Sequence, residues 1–298
     1  MHIGLVGLGK MGFPLALNIK RNGHELIAYD VNAHIRKQAA DEGISTVSSL
    51  NDLAQALPDQ KIVWLMVPAG KIIDAILVEL KETLKEGDIV IDGGNSFYKD
   101  SVARGLDLEK LKIEYLDCGT SGGVSGALNG VCAMIGGKKE VYDLCEPLFR
   151  SISVPKGYLY CGKSGSGHFT KMVHNGIEYG MMQSIAEGFE VLHTHDPSMN
   201  LAEVASVWNH GSVVRSWLME LTQQALEKDQ NLESIKGIMH SSGEGKWTLE
   251  TALEMGIATP AIAMSLLMRY RSQQTDTFSG KVVAALRNEF GGHSVEKN

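Results

Sequence analysis

Short apolar runs alternate with longer stretches of helical period through the first half of the chain. "HIGLVG" is a run with β-branched residues that passes straight into a glycine-rich turn, and the helical pattern "FPLALNIKRNG" follows until Gly23 closes it. "HELIAYD", "KIVWLMV" and "DIVID" read as further buried strands, with the helical stretch "KIIDAILVELKETL" between the last two. "EYLDCGTSGGVSGALNGVCAMIGG" reads as a strand, a loop of small residues and another strand. Strands in alternation with helices predict a doubly wound parallel sheet of the Rossmann type. From about Ser164 the alternation stops, and helical patterns run over about 166–195, 200–209, 212–228, 249–255, 260–273 and 278–289. The expected organisation is therefore an α/β dinucleotide-binding domain over residues 1–163 and an all-α domain for substrate and oligomerisation over residues 164–298.

The first turn carries the first chemistry. Gly7, Gly9 and Gly12, with Leu8, Lys10 and Met11 between them, form G-x-G-x-x-G between a strand and a helix. Such glycines permit a tight turn, let backbone approach a pyrophosphate and seat the helix close to the strand, and the helix N-terminus then presents free N–H groups to the phosphates. Asp30 closes the second strand, where a carboxylate accepts from the ribose hydroxyls and repels a 2′-phosphate, so NAD is favoured over NADP. Loops at the carboxyl ends of later strands bring Val67, Pro68 and Ala69, and Asp92 to Ser96 with Asn95, toward the nicotinamide. Ser121, Gly122 and Gly123 lie in a loop whose N–H groups can meet an anion such as a carboxylate.

A second feature sits at the start of the long helical pattern. In "GHFTKMVHNGIEYG", Lys171, His174, Asn175 and Glu178 share one face. At about 100° per residue, their direction is continued by Met182, Ile185, Ala186 and Phe189, while Gln183, Glu187 and Glu190 point the opposite way. The polar stripe thus lies on a buried face, where Lys, His and Glu are costly unless paired or used. A lysine and a carboxylate in a dry site beside a nicotinamide suit oxidation of a hydroxyl group, with Lys171 taking its proton.

Charge narrows the partners. A net charge of −7 excludes a general nucleic-acid surface, so an anionic ligand needs a local cluster of cations. Cys118, Cys132, Cys145 and Cys161 form no C-x-x-C and read as reduced thiols. No apolar segment has membrane-span length, and "HIGLVG" begins too early to follow a signal peptide, so a cytoplasmic protein is expected.

Taken together, "GLGKMG", "IDGGNS", "SGG" at Ser121–Gly123, "GHFTKMVHNGIEYG", "WNHG", "GEGKWT" and "RNEFGGH" resemble the 6-phosphogluconate dehydrogenase family over essentially the whole chain. The length resembles its short, single-repeat form. Gly9 and "DVN" at Asp30 depart from the alanine and the Asn-Arg-Thr segment of the long NADP-using form, in agreement with NAD. The resemblance implies oxidative decarboxylation of 6-phosphogluconate to ribulose 5-phosphate without a metal. It implies Lys171 as general base and Glu178 as general acid, with Asn95, Ser121, Gly122, Gly123, His174 and Asn175 holding sugar hydroxyls and carboxylate. It further implies a phosphate site of Tyr179, Lys246 and Arg271, Arg269 being the nearby alternative, and a tail whose Arg287 and His293 reach the site of a neighbouring subunit in a dimer or tetramer. The rival readings are a β-hydroxyacid dehydrogenase acting on an unphosphorylated acid such as 3-hydroxyisobutyrate, and a non-catalytic NAD sensor. Lys246 and the tail speak against the first, and Lys171 with Glu178 against the second.

Overall fold

The computed structural model describes residues 1–297 and divides the chain into two compact units, Met1–Asn175 and Gly176–Asn298. The first is built on an eight-stranded sheet: β1 (His2–Val6), β2 (Glu25–Tyr29), β3 (Ser45–Thr46), β4 (Ile62–Leu65), β5 (Ile89–Asp92), β6 (Glu114–Ser121), β7 (Val131–Gly137) and β8 (Ser153–Gly162), in the order β3-β2-β1-β4-β5-β6-β7-β8. Helices α1 (Gly12–Arg21), α2 (Ala33–Asp41), α3 (Leu50–Ala56), α4 (Lys71–Leu80), α5 (Tyr98–Glu109), α6 (Gly123–Asn129) and α7 (Lys139–Ile152) connect the strands. The strands alternate which face they feed. Ile3, Leu5, Ile62 and Trp64 enter the core under α1 and α7, whereas Val6, Val63 and Leu65 enter the core under α3 and α4. Burial on both faces is why these segments read as unbroken apolar runs.

Two details differ from the sequence reading. The sheet is parallel only from β3 through β6; β7 runs antiparallel to β6, and β8 runs parallel to β7. The expected loop of small residues is only a turn, because α6 begins at Gly123. Gly122 and Gly123 take φ of +114° and +58°, the left-handed region that glycine enters without strain, and this turns the chain out of β6 within two residues.

Helix α8 (Ser166–His195) begins in the first unit and ends in the second. The division after Asn175, twelve residues beyond the expected boundary at residue 163, has a packing cause. A Cβ at Gly167 would lie 2.4 Å from Met134 O and 2.6 Å from Asp117 O, so the opening turn of α8 rests directly on β6 and β7.

The second unit adds α9 (Leu201–Gly211), α10 (Trp217–Lys228), α11 (Gly243–Glu254), α12 (Pro260–Ser272) and α13 (Phe278–Gly291). Phe189, Leu201, Ala205, Met219 and Leu226 form its core, and the Phe189 ring meets Trp208 edge-on at 5.6 Å. Helix α10 starts later than its periodicity suggests, where Ser216 Oγ accepts from Met219 N at 3.1 Å. Helix α11 starts earlier, taking in "GEGKWT" despite two glycines. Gly245 is small for a reason, since a Cβ there would lie 2.4 Å from the Tyr179 ring. Helix α13 has no buried residue. Among the described residues, no helix is long and apolar enough to cross a membrane.

Candidate active site

The glycine turn forms as its spacing requires. Gly7 leaves β1 with φ +96°, and its N–H donates to Tyr29 O at 2.8 Å. A Cβ at Gly12 would fall 2.0 Å from Gly7 O, so α1 starts hard against the turn, whereas around Gly9 no atom stands within 4 Å of a Cβ position. Gly9 and Lys10 are exposed, Leu8 is buried, and Met11 caps α1. The Asp30 carboxylate is anchored at both oxygens: Leu8 N donates to Oδ2 at 2.7 Å and Asn32 N to Oδ1 at 2.8 Å. Glycine turn and second strand are thereby tied together by the side chain that faces the expected ribose. Gly7, Gly9, Asp30, Val67 and Pro68 line a cavity of about 550 Å³, with Ala69 exposed on the same loop.

Beside it, Asn95 bridges two strand ends. Its Nδ2 donates to Thr120 O at 3.1 Å, and Thr120 N donates to its Oδ1 at 3.0 Å. The loop carrying Asn95 is held from below by Asp92, which is fully buried and accepts from Gly94 N at 3.0 Å and from Ser96 Oγ and Tyr115 OH at 2.9 Å. Arg104 Nη1 lies 3.5 Å from the same carboxylate, and its Nε donates to Asp74 at 2.8 Å. Burial works against the Arg104 charge, but Asp74 and Asp92 outweigh it and raise its pKa. Burial, then the neighbouring carboxylates Asp92 and Asp117, push the Tyr115 phenol well up, so it stays a proton donor.

Lys171 is buried at 6 % exposure, as the helical pattern requires. Its Nζ donates to Asn175 Oδ1 at 2.7 Å and lies 3.5 Å from His174 Nδ1, while His174 Nε2 lies 3.4 Å from Ser121 Oγ. Lys171, His174, Asn175, Ser121 and Asn95 with Thr120 therefore form one connected group within the first unit. The stem of Lys171 crosses β6 at Gly119, where a Cβ would sit 2.3 Å from the Lys171 Cβ. Asp117, also fully buried, accepts from Gly165 N at 2.6 Å and His168 N at 2.8 Å. Asp117, Tyr115, Arg104 and His168 escape the sequence reading, which names Asp92 only as part of the loop near the nicotinamide. The available signal is a carboxylate inside an apolar strand pattern, in "DIVID" and "EYLDCG".

In the second unit Glu178 is partly buried and Tyr179 is buried. Ser242 N donates to the Tyr179 hydroxyl at 2.9 Å, and the Arg269 guanidinium stacks 3.5 Å from the centre of its ring. Arg271, the expected phosphate ligand, turns away and donates to Gln274 O at 2.7 Å. Two helical residues apart, the two arginines point about 200° apart, so only one can flank Tyr179. Lys246 is exposed and lies 3.4 Å from Glu250. Arg287 and His293 are exposed on and just beyond α13. Farther along α8, Met182 and Ile185 are partly covered, Phe189 is buried, and Ala186 is exposed, because they line an open apolar groove of about 580 Å³.

A glycine turn at a Rossmann strand, an acid closing the next strand and a buried lysine on the helix that leaves the sheet define a dinucleotide-dependent dehydrogenase. Residues 2–162 match the NAD binding domain of 6-phosphogluconate dehydrogenase, and residues 167–289 match that enzyme's C-terminal domain. The chain is 54% identical to the putative 6-phosphogluconate dehydrogenase YqeC of Bacillus subtilis, covering 100% of both chains. It is 42% identical to the NAD(+)-dependent, decarboxylating 6-phosphogluconate dehydrogenase of Haloferax volcanii, covering 100% of this chain and 99% of that one. The 6-phosphogluconate dehydrogenase of Plasmodium falciparum, solved also with NADP+ and with 6-phosphogluconate, superposes with a TM-score of 0.85 at 31% identity. That match covers 100% of this chain and 66% of the Plasmodium one. The chain belongs to the 6-phosphogluconate dehydrogenase family.

Proposed function

We propose that the protein is an NAD-dependent, decarboxylating 6-phosphogluconate dehydrogenase. The observation that carries the reading is the buried Lys171 amine, held at 2.7 Å by Asn175 in a group that includes Ser121 and, through Thr120, Asn95. The relatives' names support the substrate, and the Haloferax relative's name supports NAD.

The dinucleotide site suits NAD by its own geometry. Open space at Gly9 leaves room for a pyrophosphate, and the Asp30 carboxylate, fixed by two N–H groups, presents negative charge where a 2′-phosphate would lie. Gly7, Gly9, Gly12 and Asp30 would hold NAD, which would supply the acceptor for the hydride of substrate C3. Lys171 takes the proton of the C3 hydroxyl, which leaves a 3-keto acid. The ammonium of Lys171 then faces the developing negative charge on that oxygen while the C1 carboxylate leaves as CO2. Glu178 donates a proton to C1 of the resulting enediol, giving ribulose 5-phosphate. Ser121, Gly122, Gly123, His174, Asn175 and Asn95 hold the carboxylate and hydroxyls. Tyr179, Lys246 and an arginine bind the phosphate, whose remote contacts supply orientation. The stacking of Arg269 on Tyr179 favours Arg269 over Arg271 for that arginine.

The same reading includes a homo-oligomer in which the tail bearing Arg287 and His293 completes a neighbour's site. Its support is an unburied α13 with exposed Phe278, Val283, Leu286 and Phe290, together with the open groove at Phe189. The deciding assay incubates the protein with 6-phosphogluconate and NAD or NADP, following reduced cofactor and CO2. Turnover with NAD and stoichiometric CO2 are expected. No turnover with either cofactor would sink the proposal, and reduced cofactor without CO2 would limit it to a simple dehydrogenase. Mass determination in solution tests the oligomer, and a monomer that is fully active rules out the shared tail.

A further inference from the structure

Lys171, His174 and Asn175 touch one another, but all three ride on α8. Their mutual contacts travel with the helix and cannot set where the amine stands relative to the strand ends. Contacts between α8 and the sheet tie the helix, and the amine with it, to those strand ends. Strand β6 makes them at alternate residues, which share a face. Asp117 meets Gly165 and His168, Gly119 meets Lys171, and Ser121 meets His174, so strand period matches helix turns.

Resting on the reading of Lys171 as the base, we propose that Asp117 is the positioning residue that fixes Lys171 in register with the sheet. Its carboxylate is fully buried, and each oxygen takes one N–H from the opening turn of α8, Oδ1 from Gly165 and Oδ2 from His168. A carboxylate at that end also complements the helix dipole. The pocket fits this group closely. Gly136 is its register partner on β7, and a Cβ there would come within 2.6 Å of Oδ1. His168 is further tethered through Nδ1, which lies 2.7 Å from Ser101 Oγ. One turn along the helix, Lys171 Cβ rests on Gly119, with no space for adjustment. The cap sets the helix along its axis, and the glycine sets its height above the strand.

Asp117→Asn tests this with little change of volume. An amide can accept from one of the two N–H groups, but its NH2 then faces the other, leaving a buried donor unmatched. Misplacement on the scale of 1 Å costs about 100-fold in rate. The expected result is a fall in kcat of about 10- to 100-fold, with KM for 6-phosphogluconate and Kd for NAD within about threefold of the parent, on the same principle. The deuterium isotope effect on kcat with C3-deuterated substrate should rise, because the chemical step becomes rate-limiting. Loss of folded molecules would lower kcat while leaving the isotope effect where it was. If Asp117→Asn does not fold, Gly119→Ala leaves the cap in place, displaces the Lys171 stem and must show the same signature. A variant within twofold of parental kcat, or one with reduced kcat and an unchanged isotope effect, overturns the positioning role. An unmodified protein without turnover overturns instead the assigned activity, and this role with it.

Discussion

The side chain of Asn95 and the backbone of Thr120 close a reciprocal pair of hydrogen bonds, at 3.1 and 3.0 Å, across the ends of β5 and β6. One residue thus joins the loop after β5 to the turn carrying Ser121. Asn95 has φ +50°, which asparagine tolerates and glycine accepts freely, so Asn95→Gly removes the side chain without adding backbone strain. We expect kcat/KM for 6-phosphogluconate to fall at least about tenfold, the equivalent of about 1.4 kcal/mol. Unchanged steady-state kinetics would show the bridge to be dispensable.

Lys171→Met keeps the stem that packs on Gly119 and removes the amine. Loss of the base should lower kcat by about 10³-fold or more, within the usual range for general bases at its upper end. NAD affinity, measured by fluorescence or calorimetry, should stay within about twofold, since no part of the glycine turn is touched. Residual turnover near the parental rate would place the base elsewhere.

Asp30→Ala strips two backbone N–H groups of their acceptor and removes the partner proposed for the ribose. KM for NAD should therefore rise at least about tenfold, consistent with loss of charge-assisted hydrogen bonds. Activity with NADP should change less, narrowing the ratio between cofactors. If NAD and NADP suffer equally, Asp30 holds the turn but does not discriminate.

Arg269→Ala and Arg271→Ala separate the two candidates for the phosphate. The stacking of Arg269 on Tyr179 predicts that its removal raises KM for 6-phosphogluconate at least about tenfold, as expected for losing a charged partner. Arg271→Ala should leave KM within about twofold, because its guanidinium serves Gln274. The reverse order would return the role to Arg271.

Burial raises the thiol of Cys145 to about 12 and drives that of Cys118 higher still. A folded-state pKa above the unfolded value, about 8.5, means that this contribution to stability is whole below pH 8.5 and is lost as pH rises toward the folded value. Denaturant midpoints should fall through that alkaline window, and Cys145→Ala should flatten part of the fall. At pH 8 a thiol reagent should label neither Cys118 nor Cys145 before unfolding; rapid labelling of the native protein would contradict their burial.

Much of this molecule was legible in the chain because its strongest signals are local. The run "HIGLVGLGKMG" specifies strand, turn and helix through contacts among neighbours in sequence, and Asp30 follows at the end of the next strand. The burial of Lys171 could be read because helical period projects one face forward to Met182, Ile185 and Phe189. Ala186 fails that projection, since it stands exposed on the open groove beside Phe189.

What sequence alone could not determine depends on approach between distant segments. Nothing local in "EYLDCGTSGG" says that Asp117 would cap α8 some fifty residues later, that Gly119 would lie under Lys171, or that β7 would turn antiparallel. Arg269 and Arg271 are indistinguishable by composition, and only the rotation of α12 against Tyr179 separates them. Sequence by itself determined the dinucleotide fold, the helical second half and the buried face that holds Lys171, because period and glycine spacing act over one or two turns. Tertiary structure decided which buried carboxylates anchor the start of α8 and the loop after β5, because a charge inside a strand reveals its partners only when they arrive from elsewhere in the chain.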